Sequence, residues 1–184
     1  KTLLIDSRNS LGGLMTHGLL NFLDMNYGEG GRLVTKGIFL EFYRNFNSNA
    51  VDVERAKKVF HRMVQDEENI TLIMNAAFSA PVMEGDGIAG IRAVVNGEER
   101  EFRSMRVVDA TQDADVAAAA GVPFTVGAED VGFKDELMAA TLMIHLDNVD
   151  WTALKKAVDE NKLGYTKINE TAAWGFEAVT AKYK

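Results

Sequence analysis

VVDATQDADVAAAAGVPF, residues 107–124, decides how this chain is read. A β-branched apolar run ends on Asp109-Ala110-Thr111. Three carboxylates, Asp109, Asp113 and Asp115, fall within seven residues, and an alanine-rich stretch follows. Valines favour an extended strand and alanines favour a helix, so the pattern is strand into helix. Gly121 closes the helix, and Pro123 just beyond it prevents continuation. The class is therefore α/β. The three acids have a local reading: carboxylates at a helix start accept bonds from free amides and sit at the positive end of its dipole. Whether they do more depends on what the rest of the chain brings to them.

Upstream, Thr2-Leu3-Leu4-Ile5-Asp6 reads as a short buried strand that ends in an acid. Residues 7–34 are rich in Gly, Asn and Ser, a long irregular segment with a helical piece expected at 19–25. Ile38, Phe39, Phe42, Tyr43 and Phe46 recur at helical spacing and predict a helix over 36–47. A second helix runs from a cap at Asp52 to about residue 66, with Ala56, Val59, Phe60, Met63 and Val64 on one stripe. His61 lies just off that stripe, as a surface or structural residue. The period then changes to two, and 70–75, 77–84, 88–96 and 99–109 read as successive strands. Gly85-Asp86-Gly87 and Asn96-Gly97-Glu98 make the turns; Asn-Gly between alternating runs is a hairpin signal. A further strand is expected at 138–146, with His145 inside it, and a helix at 149–162 starting near Asp150. Residues 164–184 carry mixed signals, and no internal repeat is visible.

The chain's 184 residues suit one domain or one and a half. Twenty Lys and Arg stand against 27 Asp and Glu, a net charge of −7, which argues against nucleic acid and anionic membranes as partners. The absence of cysteine removes disulfides, thiolate metal sites and cysteine nucleophiles together. No apolar run is long enough to span a membrane. The chain opens on Lys1 and enters a strand at once, which reads as a piece of a longer protein. Its expected location is the cytoplasm. The glycosylation sequons at Asn69 and Asn169 are read as chance.

Gly85-Asp86-Gly87-Ile88-Ala89-Gly90 matches the G-x-G-x-x-G of a dinucleotide loop. That loop works by opening a helix whose N-terminal amides face a diphosphate. Here a strand pattern follows, so the glycines belong to a hairpin. Asp6 is a better nucleotide contact, because two carboxylate oxygens at a strand end match the vicinal hydroxyls of a ribose. Gly12-Gly13, followed by Thr16, would let backbone approach a flat or charged ligand. Each feature alone is also ordinary loop chemistry.

In order, these pieces resemble the flavin-binding half of FAD-dependent oxidoreductases of the glutathione-reductase type, and a bacterial family of them most closely. The stretches that carry the resemblance are LLIDSRNSLGGLMTHG, VVDATQDADVAAAAGVPFTVGAED and MAATLMIHLDNVDW, within residues 2–152. The implied fold is an incomplete FAD/NAD(P)-binding three-layer fold with a β-meander. A partial FAD-binding domain would cover 1–135, with a helical insertion at 35–67 and the meander at 70–109. The start of a mixed-sheet substrate or cap domain would cover 136–184. The implied cofactor is FAD, and the implied chemistry is hydride transfer between a small-molecule substrate and the flavin. Asp6 would be the ribose carboxylate, in place of the family's commoner Glu, with Ser7 and Arg8 beside the adenosine ribose. Gly12 and Gly13 would lie near the diphosphate and Thr16 toward the flavin ring. The Phe78 backbone would read the adenine edge. Ala110 and Thr111 would pass the diphosphate and ribityl chain, and Asp113 would cap the next helix or reach the flavin side. His17, beside Thr16, is the candidate proton shuttle.

Two departures stand out. Gln112 replaces the family's Gly after Ala-Thr, which puts a side chain where the ligand is crowded. The family's first strand and its G-x-G-x-x-G would precede Lys1, so residues 3–5 and 107–108 are expected to lack their strand partner. The expectation is a full-length protein that binds FAD, a piece that binds it weakly, and self-association through an exposed strand edge. The alternative is a non-catalytic α/β binding or assembly domain that has lost flavin binding.

Overall fold

A computed structural model of the chain describes residues 1–138, 140, 142, 143, 146–160, 162, 165–169 and 178–182. The chain divides into two compact units, Lys1–Ser10 with Glu67–Leu142 and Leu11–Asp66 with Met143–Lys184. Parallel and antiparallel sheets occur together with helices, a mixed α/β chain consistent with an incomplete FAD-binding fold.

In the first unit, β1 (Thr2–Ile5) pairs in parallel with β2 (Ile70–Ile73), from Thr2 opposite Ile70 to Ile5 opposite Ile73. Residues 3–5 therefore do have a strand partner, contrary to expectation. Asn75 turns the chain at a φ of 53°, a conformation asparagine tolerates better than most residues. The meander β3 (Ala76–Glu84), β4 (Gly87–Val95) and β5 (Glu98–Arg103) follows, all antiparallel. Its alternation is plain in β4, where Ala93 and Val95 are buried and Arg92 and Val94 are exposed. Asn96 and Gly97 sit at φ 54° and 84°, both positive, as a type I′ turn demands. Gly85 to Gly90 is the other hairpin: Glu84 pairs with Gly87, and no helix follows.

The last strand of the meander is shorter than its sequence pattern. β5 ends at Arg103, and residues 104–110 form no strand. Val108 is 86% exposed. Apolar alternation alone cannot hold a strand whose backbone groups have no neighbouring ladder to join. The helix α3 (Asp115–Ala119) then packs on β3 and buries Val116. It ends as expected: Gly121 lies at φ 82°, its N–H donates to Ala118 O, and the Val122 N–H donates to Ala117 O. That pair of bonds is the Schellman motif.

The second unit is built on α1 (Ile38–Tyr43) and α2 (Val53–Gln65). The Asp52 Oδ1 accepts the Arg55 N–H at 2.6 Å, so the predicted cap is real. Phe42, Val51, Ala56 and Val59 form the core, with Met15, Leu23, Phe46, Phe60 and Met63 packed around it. Phe42 stacks on Phe60 at 4.5 Å. Burying side chains of this size contributes about 2 kcal/mol each, which is what holds these short helices. His61 is exposed. The helix expected at 19–25 does not form. Leu23 N–H donates to Asn49 O and Val51 N–H to Asn21 O, so this stretch runs extended beside 49–51. α1 is also shorter than 36–47, because the Asn45 side chain bonds Glu41 O and Phe42 O and ends it.

Further along, α4 (Trp151–Asp159) starts at Asp150, whose Oδ1 accepts the Ala153 N–H. β6 (Tyr165–Asn169) and β7 (Ala178–Lys182) form an antiparallel pair. The strand expected at 138–146 falls partly outside the described residues, as does His145; Met138, Ala140, Leu142, Met143 and Leu146 are in no strand. Among the described residues no helix is long and apolar enough to cross a membrane.

Candidate functional site

The acid at the end of β1 sits in a tightly held loop. Asp6 N–H donates to Ile73 O, Ala76 N–H donates to Asp6 O, and Asn75 N–H donates to Arg8 O, each at 3.0 Å. The Asp6 carboxylate turns back and accepts the Arg8 N–H at 2.8 Å through Oδ1. This is an Asx turn, the local structure that an Asp two residues before an amide favours. It pins residues 6–8 to the carboxyl end of a parallel strand, the place where open α/β sheets bind ligands. Asp6 is partly buried, while Ser7 and Arg8 are exposed. Only one acceptor position of Asp6 is used by Arg8; a carboxylate has about four. The remaining ones suffice for two hydroxyls on adjacent carbons.

Phe78 lies in β3, which is at the edge of the meander, opposite Ala93. Beside it Ser79 is an extra residue in the register, a bulge that frees local backbone from the ladder.

The turn at 109–115 is organised by a residue that sequence reasoning did not put in the site. Asp109 Oδ1 accepts both the Thr111 N–H at 2.9 Å and the Thr111 hydroxyl at 2.7 Å. Its Oδ2 accepts the Ala117 N–H at 2.8 Å. The Thr111 oxygen in turn accepts the Asp115 N–H at 2.8 Å. Burial alone would raise the Asp109 pKa. The bonds from the Thr111 hydroxyl and from the amides of Ala117, Thr111 and Val116 outweigh it and hold the carboxyl below its ordinary value. Asp113, expected to cap this helix, does not. The residue before the helix is Ala114, at a left-handed φ of 57°, and no side chain caps from that position. Asp109 and Thr111 satisfy the first amides instead, reaching them from outside the helix. The signal that could have found this is the Asp-x-Thr spacing, which lets the first side chain bond the third residue's backbone. Ala110, Gln112 and Asp113 are exposed; Thr111 is partly buried.

Gly12, Gly13, Thr16 and His17 belong to the second unit. Gly12 is glycine by necessity. A Cβ there would stand 2.6 Å from Thr16 Cγ2 and 2.8 Å from the Phe60 ring. Gly13, by contrast, has nothing within 4 Å of where a Cβ would be. Its carbonyl accepts the N–H groups of Thr16, His17 and Gly18. Thr16 is 1% exposed, and its hydroxyl donates to Leu11 O at 2.8 Å. The hydroxyl expected to face a ring therefore closes its own loop. Among the described residues no three acidic or histidine side chains cluster as a metal site.

The family model described as FAD dependent oxidoreductase matches residues 1–183. No curated protein and no solved structure matches the chain. A match over nearly the whole length, on a mixed α/β frame whose first strand ends in a held carboxylate, is decisive: the chain belongs to the FAD-dependent oxidoreductase family.

Proposed function

We propose that this chain is the flavin-binding portion of an oxidoreductase in which hydride passes between a small-molecule substrate and FAD. The family implies the cofactor. The observation that carries the assignment within the structure is the Asp6 loop. Its carboxylate stands at the carboxyl end of a parallel strand, turned by the Arg8 N–H in a loop that three backbone hydrogen bonds hold, and has acceptor positions to spare. Those acceptors fit the hydroxyls at the sugar end of FAD. Gly13, with open space on its Cα, fits close approach by a diphosphate.

In this reading Asp6 binds and orients the ribose, with Ser7 and Arg8 beside it. The Phe78 backbone meets the adenine. Gly12 and Gly13 shape the diphosphate loop, and Thr16 keeps that loop closed by its bond to Leu11 O. Ala110, Thr111 and Asp113 line the path toward the ribityl chain. His17 is the candidate for moving a proton. When bound, FAD supplies the hydride acceptor, and the protein's part is positioning and exclusion of water. Residues 1–135 would serve the flavin and 136–184 would begin the substrate or cap domain. Part of the diphosphate contact would come from chain outside this sequence, since its only G-x-G-x-x-G is a hairpin. Self-association through the open edge of β1 would follow from that arrangement.

The test is an absorbance spectrum of the full-length protein, with and without Asp6→Ala. A yellow protein that loses flavin on the substitution supports the reading. A colourless wild type removes it and leaves the second reading, a binding or assembly domain, which Gln112 and the internally satisfied Thr16 hydroxyl favour.

A further inference from the structure

Asp109 is the most heavily bonded side chain in the 107–124 stretch, and the scheme above gives it no task. Its two oxygens do different things. Oδ1 holds the Thr111 amide and hydroxyl, and Oδ2 reaches eight residues on to the Ala117 amide. One carboxylate therefore ties the exposed turn at 110–114 to the body of α3, and α3 is in turn packed on β3. The segment between these ties has little else to fix it. Residues 104–110 have no strand partner, Ala114 is held in a left-handed conformation, and Ala110, Gln112 and Asp113 face solvent. A non-glycine residue in that conformation costs about 1 kcal/mol and persists only where its surroundings enforce it. The enforcing bonds are those of Asp109 and of the Thr111 oxygen to Asp115 N–H.

We infer that Asp109 is a positioning residue for flavin: it fixes the path of residues 110–113 through Thr111, and so sets cofactor affinity without touching the cofactor. This rests on the flavin reading given above. The chemistry needs an anionic acceptor at both oxygens, because three of its partners are donors. An amide in its place turns one of those bonds into a donor facing a donor. Thr111 serves as a relay, since one hydroxyl both donates to Asp109 and accepts from Asp115; a serine can do the same and a valine cannot.

The experiment uses the full-length protein and titrates FAD into the apo form, following flavin fluorescence and its visible circular dichroism, well below the melting temperature. Asp109→Asn and Thr111→Val should each weaken FAD binding at least tenfold and alter the dichroism of what binds. Thr111→Ser should stay within about threefold of wild type. The double substitution should be no weaker than the worse single one, as expected of two residues acting as a unit. Melting of the apo proteins is measured alongside. If the variants melt earlier yet bind FAD as wild type does, with unchanged dichroism, Asp109 is structural and the inference fails while the flavin reading stands. If the two substitutions add in full, Thr111 is not the relay and the inference fails likewise. Should Asp109→Asn not fold, the comparison of Thr111→Ser with Thr111→Val decides. A wild type that binds no FAD at all overturns both readings together.

Discussion

Gly12→Ala is the sharpest test of how the loop following Ser10 is built. Gly12 lies at φ 107° and ψ −2°, where a side chain is strained, and the added Cβ would meet Thr16 Cγ2 at 2.6 Å and the Phe60 ring at 2.8 Å. Real Cβ contacts do not come this close. Phe60 has little room to retreat, because it stacks on Phe42 at 4.5 Å in the core. Backbone strain costs about 1–3 kcal/mol and overpacking about as much again, so a loss of roughly 3 kcal/mol is the working figure. In a chain of this size that lowers the melting temperature by roughly 10 °C. Gly13→Ala is the matched control: φ is 49°, and nothing lies within 4 Å. It should cost only the left-handed backbone term, about 1 kcal/mol, or roughly 3 °C. Thermal and urea melts by circular dichroism give both numbers. Adding Phe60→Leu should recover part of the loss from Gly12→Ala by giving the methyl space. Equal effects of the two glycine substitutions would refute the packing argument.

Asp52→Ala removes the bond to the Arg55 amide and should cost about 1 kcal/mol, read as a lower urea midpoint at unchanged slope. Stability on the acid side follows from Asp109, whose folded pKa is depressed. Its contribution is complete above the ordinary carboxyl pKa and is lost as pH falls through the lower folded value. Glu101, lowered first by its bond from Arg103 and also by Arg92, works in the same sense. Urea melts over that range should therefore show Asp109→Asn with a flatter acid limb than wild type, and a parallel limb would count against it. Replacing His17 by Gln in the complete enzyme should lower turnover with FAD content unchanged; unchanged turnover removes it as the proton shuttle.

Features specified by neighbouring residues were legible before the structure. The Asp52 and Asp150 caps, the Asn96-Gly97 turn and the Gly121 helix end all depend on bonds within a few residues, which the sequence lists in order. Features that need a distant partner were not. Residues 19–25 look helical until 49–51 lies beside them and takes their hydrogen bonds. Val107 and Val108 look like a strand, but strand character is a property of the neighbour as much as of the valines. In the candidate site, the position of Asp6 was readable because a strand-final acid has only one place to be. Choosing between Asp109 and Asp113 was a different problem. Both are the same residue type near the same helix, and only the path of the turn decides which carboxylate meets the amides. Thr16 likewise read as a ligand contact, because the Leu11 carbonyl that takes its hydroxyl does not mark itself in the sequence.

The parallel pairing of β1 with β2 has a kinetic consequence. Thr2 stands opposite Ile70, so this ladder closes a long loop and bears that entropy before its pairing gains anything. The meander and α2 close over short loops and need no such wait. Refolding should then proceed from local hairpins and the helical segment toward a late step in which the amino-terminal residues dock. The acid that follows them reaches its final position only in that step, so competence to hold a cofactor should be the last property the refolding chain acquires.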